Sequence, residues 1–346
     1  NISVNTTGNV IFISNSATRP VNAVCNVNNN AIVGAFSKTG AGGTITFYTS
    51  NGATPTSGTE NNLNNNFSNI TVTGATTIAG WGSTDGSSTS PYGPGKNVSN
   101  NTFSNITGGN SAITILNVGY SNNALTTNNV SNNVVSNITG GGAITGITSG
   151  NGTQNFFGNV VNTLSTTGAA TVFAMQVTGG GTQNLYKNKI YNVEANNAAG
   201  VVNGLLISGG TLITAYNNTI GDLRTPVSTG VTSVLNGINI TGGTTVNAYN
   251  NTVFLNGVSS GAIFSSSAVS VSTTPTVTLR NNIFVNSSTA NGAGLAAAYR
   301  RSTATLTSYA AASDNNIFFA TTIFTDGTNI DATLAAFQTR VTPRDA

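Results

Sequence analysis

GINITGGTTVNAYNNTVFLNGV, residues 237–258, carries the pattern that decides the fold. A short run alternates apolar and polar residues and stops at a Gly-Gly turn. A second run ends on an aromatic residue, an Asn pair follows, and a third run closes the unit. The same arrangement appears in GLLISGGTLITAYNNTIGDL (204–223) and in TVFAMQVTGGGTQNLYKNKIYNV (171–193). Followed along the whole chain, the last Asn of an N-N-x-Φ pattern (Φ apolar) falls at Asn30, Asn65, Asn101, Asn133, Asn159, Asn188, Asn218, Asn251, Asn282 and Asn316. The gaps are 35, 36, 32, 26, 29, 30, 33, 31 and 34 residues. A period this steady implies one structural unit stacked about ten times.

Three short runs per repeat, separated by turns, read as three strands per coil, each forming one side of a triangle. Period-two alternation assigns the faces. Two places after the recurring Asn stand Ile32, Phe67, Phe103, Val135, Val161, Ile190, Ile220, Val253, Phe284 and Phe318, all apolar and therefore expected inside. Five places after it, Ile70, Ile106, Ile138, Leu164, Val193 and Leu223 are expected inside as well. Between them, Asn69, Asn105, Asn137, Thr163, Asn192 and Asp222 are polar and expected outside. The recurring Asn suits a turn because its side chain bonds nearby backbone and tolerates a left-handed conformation. Stacked on successive coils, each amide can donate to the next, as in the Asn ladders of cross-β stacks. With strands about 4.8 Å apart, ten coils give a rod roughly 45–50 Å long.

Composition agrees. Only 5% of the 346 residues are charged, against about 25% in ordinary globular proteins, so Asn, Thr, Ser and Gly must solvate the wall. These residues favour turns and disfavour helices. The 11 basic residues are scattered, which argues against a nucleic-acid partner. Cys25 is the single cysteine and there is no histidine. An internal disulfide and a Ser-His-Asp triad are therefore excluded, and the expectation is no metal and no cofactor. No apolar run approaches a membrane span. Low charge with abundant Asn, Thr and Ser leads us to expect an extracellular or cell-surface protein.

The Asn ladder at a turn, three strands per coil and inward apolar stacks together resemble a right-handed parallel β-helix of the pectin-lyase-like superfamily over nearly the whole chain. The expected fold is all-β: a right-handed parallel β-helix solenoid over 1–330, followed by a cap and tail over 331–346. In the cap, Asp331 is the expected N-cap of a short helix whose Leu334, Phe337 and Val341 share one face and which stops before Pro343. The closing AAFQTRVTPRDA (335–346) resembles segments beside the β-helical regions of large surface proteins exported by type IX secretion, which implies a longer parent chain. The longest interruption, AGWGSTDGSSTSPYGPGK (79–96), is expected to form an irregular loop carrying Trp81 and Tyr92.

The superfamily resemblance implies polysaccharide lyases or glycoside hydrolases. Such chemistry needs converging carboxylates, or acidic Ca²⁺ ligands with a basic residue. The acids here are Glu60, Asp85, Glu194, Asp222, Asp314, Asp326, Asp331 and Asp345, mostly far apart in the repeat frame. Charge gathers only at Lys187, Lys189, Glu194, Asp222 and Arg224. In that frame Glu194 and Arg224 stand side by side as a cross-strand ion pair; Asp222 and Glu194 are the only catalytic candidates. A stronger lead is the row Phe157, Tyr186, Tyr216 and Tyr249, two places before the recurring Asn on four successive coils. With Phe156, Leu185, Ala215 and Ala248 pointing in, these rings point out, and Arg280 continues the row as a cation–π partner for Tyr249. Exposed ring rows grip sugars; stacked rings also simply stabilise a sheet. Glycan-binding candidates are thus Phe157, Tyr186, Tyr216, Tyr249, Trp81 and Tyr92. The expected function is a structural or adhesive segment of a secreted bacterial surface protein, not an enzyme, binding glycans or other surface proteins. A polysaccharide-active enzyme is the alternative. Ice binding through Thr rows is a lesser one, since runs such as Thr244-Thr245 do not repeat on enough coils.

Overall fold

A computed structural model of the chain describes residues 1–50, 52, 54–84, 93–119 and 126–345. It is a parallel β-solenoid of about ten turns, and among the described residues it has one helix, a short one at its C-terminal end. One coil shows the plan. The strand Thr245–Tyr249 precedes the ladder Asn, Thr252–Leu255 follows it, Phe264–Val271 forms the third side, and Thr276–Arg280 begins the next coil. Stacked in register, these strands build a 9-stranded sheet before the ladder, a 13-stranded sheet after it and a 12-stranded third sheet. Among the described residues the strands pair in parallel, apart from Ile330–Asp331, which runs antiparallel to Thr322–Thr325, and an isolated antiparallel bridge joins Phe264 to Asn291. Residues about one repeat apart are direct neighbours: Leu185 pairs with Ala215, and Ala215 with Ala248.

The two residues of the Asn pair have different tasks. The first is left-handed on every coil: Asn29, Asn64, Asn100, Asn132, Lys187, Asn217, Asn250, Asn281 and Asn315 have φ between 54° and 61°, and Gly158 has 65°. Asn and Gly are the residues for which this conformation costs least, which is why Asn dominates and Gly substitutes once. The second Asn turns inward and makes the ladder. Each Nδ2 donates to the Oδ1 of the next Asn at 2.8–3.0 Å, from Asn30 through Asn316. The same Oδ1 also accepts the backbone N–H of the preceding ladder Asn, as Asn218 does from Asn188 at 3.1 Å. The second Nδ2 proton goes to a backbone carbonyl one coil back, as from Asn218 to Leu185 at 2.8 Å. An amide offers two donors and two acceptor lone pairs, so inside the rod every one of them is used.

The core follows the expected positions. Of the ten residues two places after the ladder Asn, nine are buried and Ile32 in the first coil is half-buried. All six residues five places after it are fully buried. Two inward positions three apart violate strict alternation, and the residue between them explains how. Asn69, Asn105, Asn137, Thr163, Asn192 and Asp222 are left-handed, with φ from 48° to 60°. That single turn of the backbone swaps the faces of the strand, so the apolar residue that follows points inward again. These six are exposed or half-buried, and Asn105 and Asn137 form a shorter outer amide ladder back to Asn69.

The C-terminal end is plugged. Phe337 on the helix Leu334–Val341 meets Phe318 and Phe324 at 5.2 Å and Tyr299 at 6.2 Å. Two details differ from the sequence expectation. The N-cap is Thr333, whose hydroxyl accepts from the Ala336 N–H, rather than Asp331. Asp331 belongs to the strand Ile330–Asp331 and takes a bidentate grip from Arg340 at 2.6 and 2.8 Å. Leu334 is 43% exposed, while Phe337 and Val341 are buried; the first helical turn projects past the end of the core. The tail then returns to close the ladder: Asn316 Nδ2 donates to Asp345 Oδ1 at 2.8 Å.

Of the stretch 79–96 expected to be an irregular loop, residues 79–83 and 95–96 belong to strands, and 85–92 lie outside the described residues. Trp81 lies in the strand Thr77–Ser83 and is fully buried, packed against Tyr48 at 4.7 Å with the rings tilted by 30°, and its indole N–H donates to Asn62 at 3.0 Å. It fills the rod interior beside Phe67 and Phe103, so it is removed from the glycan-binding candidates. Tyr92 lies outside the described residues.

Candidate functional site

The 9-stranded wall is the most regular surface of the molecule. Its strands present alternate residues outward. Thr153, Asn155 and Phe157 lie on one coil, Thr182, Asn184 and Tyr186 on the next, and Thr245, Asn247 and Tyr249 two coils on. In the middle column the side-chain amides form a second ladder: Asn184 donates to Asn155 at 2.9 Å, Asn155 to Asn129 at 3.0 Å and Asn97 to Asn61 at 2.9 Å. Sequence reasoning missed this column, although the same period-two parity that placed the rings outward places these Asn residues outward too.

Beside the amide column run the rings. Phe157 and Tyr186 stack at 5.0 Å and 6° between planes, and Tyr186 and Tyr216 at 4.8 Å and 8°. All are half-buried. Backbone register continues to Tyr249 and Arg280, but the stack does not. The Tyr249 ring makes no stacked contact with Tyr216, and Arg280 is exposed and does not lie over Tyr249. The expected cation–π pair is therefore absent among the described residues. Stacking turns the ring faces toward one another. The wall thus offers ring edges and the hydroxyls of Tyr186, Tyr216 and Tyr249, none of which bonds to another described residue. The Tyr216 phenol is pushed above its ordinary pKa by desolvation and by the neighbouring Tyr186.

Asp222 and Glu194 are brought together as the repeat frame requires, but by a cation. Glu194 and Arg224 are cross-strand partners. Arg224 Nε meets Glu194 Oε2 at 3.1 Å, Nη1 meets Asp222 Oδ1 at 2.5 Å, and Nη2 bonds Asn192 Oδ1. One guanidinium holds both candidate carboxylates on an open surface, an arrangement of a structural ion pair. Lys187 and Lys189 are exposed.

Charge also gathers where sequence reasoning placed none: inside the rod. Glu60 is fully buried and accepts Tyr48, Ser50 and Ser83 hydroxyls at 3.1, 2.9 and 2.7 Å, with Arg19 at 3.5 Å. Lys96, its neighbour on the next coil, donates to the Ser83 and Gly119 carbonyls at 2.9 and 3.1 Å. Asn128, Gln154 and Gln183 continue this buried polar column. All five stand five places before a ladder Asn, which is inward by parity; the signal was present but was masked by their polar identity. Desolvation, followed by the Glu60 charge, pushes the Tyr48 phenol far above its ordinary range.

The third sheet holds a groove of about 490 Å³ near the C-terminal end, bounded by residues 231–233 on one side and 325–330 on the other. Asn239, Ser270, Arg300 and Thr325 stand on its floor as successive register partners. Among the described residues no group of three or more His, Cys, Asp or Glu is placed to hold a metal ion. No protein-family model matches the chain, and neither curated proteins nor solved structures provide a match.

Proposed function

We propose that this chain is a stiff, adhesive rod segment of a secreted bacterial cell-surface protein of pectin-lyase-like type, exported by type IX secretion, and that its 9-stranded wall binds glycans. The observation that carries this reading is the paired columns on that wall: a side-chain amide ladder that ends at Asn155 and Asn184, beside Phe157 and Tyr186 of the Phe157–Tyr186–Tyr216 stack, with Thr214 in its place beside Tyr216. A polymer of sugar rings is itself periodic, so a surface repeating about every 4.8 Å contacts it many times with small individual gains that add by multivalency. Free tyrosine hydroxyls and the amide edges supply hydrogen bonds, and the outer faces of the end rings supply stacking. Rigidity comes from the buried ladder, so no ordering cost falls on the wall when a ligand binds.

The test is glycan-array binding of the wild type against the double variant Tyr186→Ala, Tyr216→Ala. Loss of a specific glycan signal in the variant, with an unchanged circular dichroism spectrum, supports the reading. Equal binding by both proteins removes the ring row as the glycan site, and binding by neither leaves a spacer and removes the adhesive role. Nothing in the geometry favours hydrolysis or elimination at Asp222 and Glu194, since Arg224 occupies both carboxylates.

A further inference from the structure

We infer that the groove on the third sheet is a binding site for a small ligand carrying an oxyanion group (carboxylate, sulfate or phosphate), with Arg300 as its anchor. Arg300 is half-buried on the groove floor, and burial lowers its pKa from the usual arginine value. Two of its donors are held by the protein: Nε by Ser267 Oγ at 2.8 Å and Nη2 by the Leu295 carbonyl at 3.1 Å. Both acceptors are neutral. A guanidinium has five N–H donors, so those on Nη1 and one on Nη2 remain for a ligand. These two bonds also fix the plane of the group, which reduces the ordering cost of binding an anion in bidentate fashion.

A desolvated cation calls for a counter-charge, and the chain's own acids near the groove are committed elsewhere. Asp326 caps its own turn, accepting the N–H groups of Thr328 and Asn329 at 3.0 and 2.7 Å. Asp331 is gripped by Arg340. No carboxylate of a described residue pairs with Arg300. Directly beneath, Arg301 is 2% exposed, bonds only neutral oxygens of Tyr299, Thr305 and Ser308, and lies 5.7 Å from the Tyr309 ring centre. Two adjacent arginines without a paired acid make the groove floor positive, and Asn239, Ser270 and Thr325 around Arg300 can donate to the remaining oxygens of an anion.

This site lies on a different wall from the amide and ring columns, so its fate is independent of the glycan reading. Isothermal titration calorimetry of the intact chain with sodium sulfate, inorganic phosphate and sodium acetate, against sodium chloride at matched ionic strength, tests it and separates the anion types. We expect saturable one-site binding of at least one oxyanion and none of chloride. Arg300→Gln, which retains a hydrogen-bonding side chain over Ser267, weakens that binding at least tenfold; Arg280→Gln on the neighbouring wall leaves it unchanged. Absence of saturable binding by the wild type overturns the proposal. So does equal weakening by Arg280→Gln, which would mark a general charge effect. A thermal melt of Arg300→Gln within the range of Arg280→Gln establishes that the groove is still folded.

Discussion

Replacing Asn218 by Ala, in the middle of the ladder, isolates what one amide contributes. Its Oδ1 accepts the Asn188 backbone N–H at 3.1 Å and Asn188 Nδ2 at 2.9 Å; its Nδ2 donates to Leu185 O at 2.8 Å and Asn251 Oδ1 at 2.9 Å. Asn251 Oδ1 keeps one partner after truncation, because it also accepts the Asn218 backbone N–H at 3.1 Å. The two Asn188 donors and the Leu185 carbonyl lose theirs in a site with almost no solvent. At about 1–3 kcal/mol for each buried polar group left without a partner, the three groups together make the substitution cost about 3–9 kcal/mol. Asn218→Asp restores the acceptor but sets the carboxylate oxygen that replaces Nδ2 against both Leu185 O and Asn251 Oδ1, and is expected to be no better. Asn30→Ala supplies the contrast. Asn30 is half-buried at the start of the ladder, and no described group donates to its Oδ1; its loss should cost about 1 kcal/mol. A solenoid unfolds in parts, so the assay combines urea unfolding with hydrogen exchange of peptides spanning residues 185–193 and 249–255. Exchange should accelerate on both sides of position 218 and remain unchanged beyond residue 316. Equal small losses for the position 30 and position 218 alanine variants would refute the ladder as a main source of stability.

Three further outcomes are expected. Lys187→Gly should stabilise the rod by about 0.5–1 kcal/mol in urea unfolding, because Lys187 occupies a left-handed position at φ 56° where a side chain costs energy; a loss of stability would mean that its exposed side chain matters more than its backbone. Burial pushes the Tyr299 phenol up to about 12. Above pH 10 the unfolded chain therefore binds fewer protons than the folded one, and stability falls by about 2–3 kcal/mol as pH rises from 10 to 12; Tyr299→Phe should flatten that part of a stability-versus-pH curve. Arg224→Met should cost less than about 1 kcal/mol in the same assay, since both of its ion pairs are substantially exposed.

The sequence made the core legible because one steric rule governed it. The ladder Asn set a phase, and parity from that phase placed Phe67, Val135, Ile220 and Leu223 inside. The same rule predicted the Glu194–Arg224 pairing, since both residues stand six places after a ladder Asn. It also carried the information that Glu60 and Lys96 face inward, but residue type argued against burial and obscured it. Trp81 was misplaced because the glycines and serines of residues 82–90 lowered the weight of the strand Thr77–Ser83 that carries it. Whether Tyr216 stacks on Tyr186 and Tyr249 stays out of the stack depends on side-chain torsions, for which a repeat frame gives no information.

Backbone periodicity, then, was written into the one-dimensional order of residues: coil number, strand phase, turn positions and the stacked amides follow from a recurring local rule that needs no knowledge of distant contacts. Contacts between segments that obey no repeat arose only on folding. These are the Asp345 tail closing the ladder, Arg340 claiming Asp331 from its expected cap, and the Arg300 groove between residues 231–233 and 325–330. Each depends on how irregular connections cross the regular wall, and their course is fixed by packing against the finished coils rather than by any pattern within themselves.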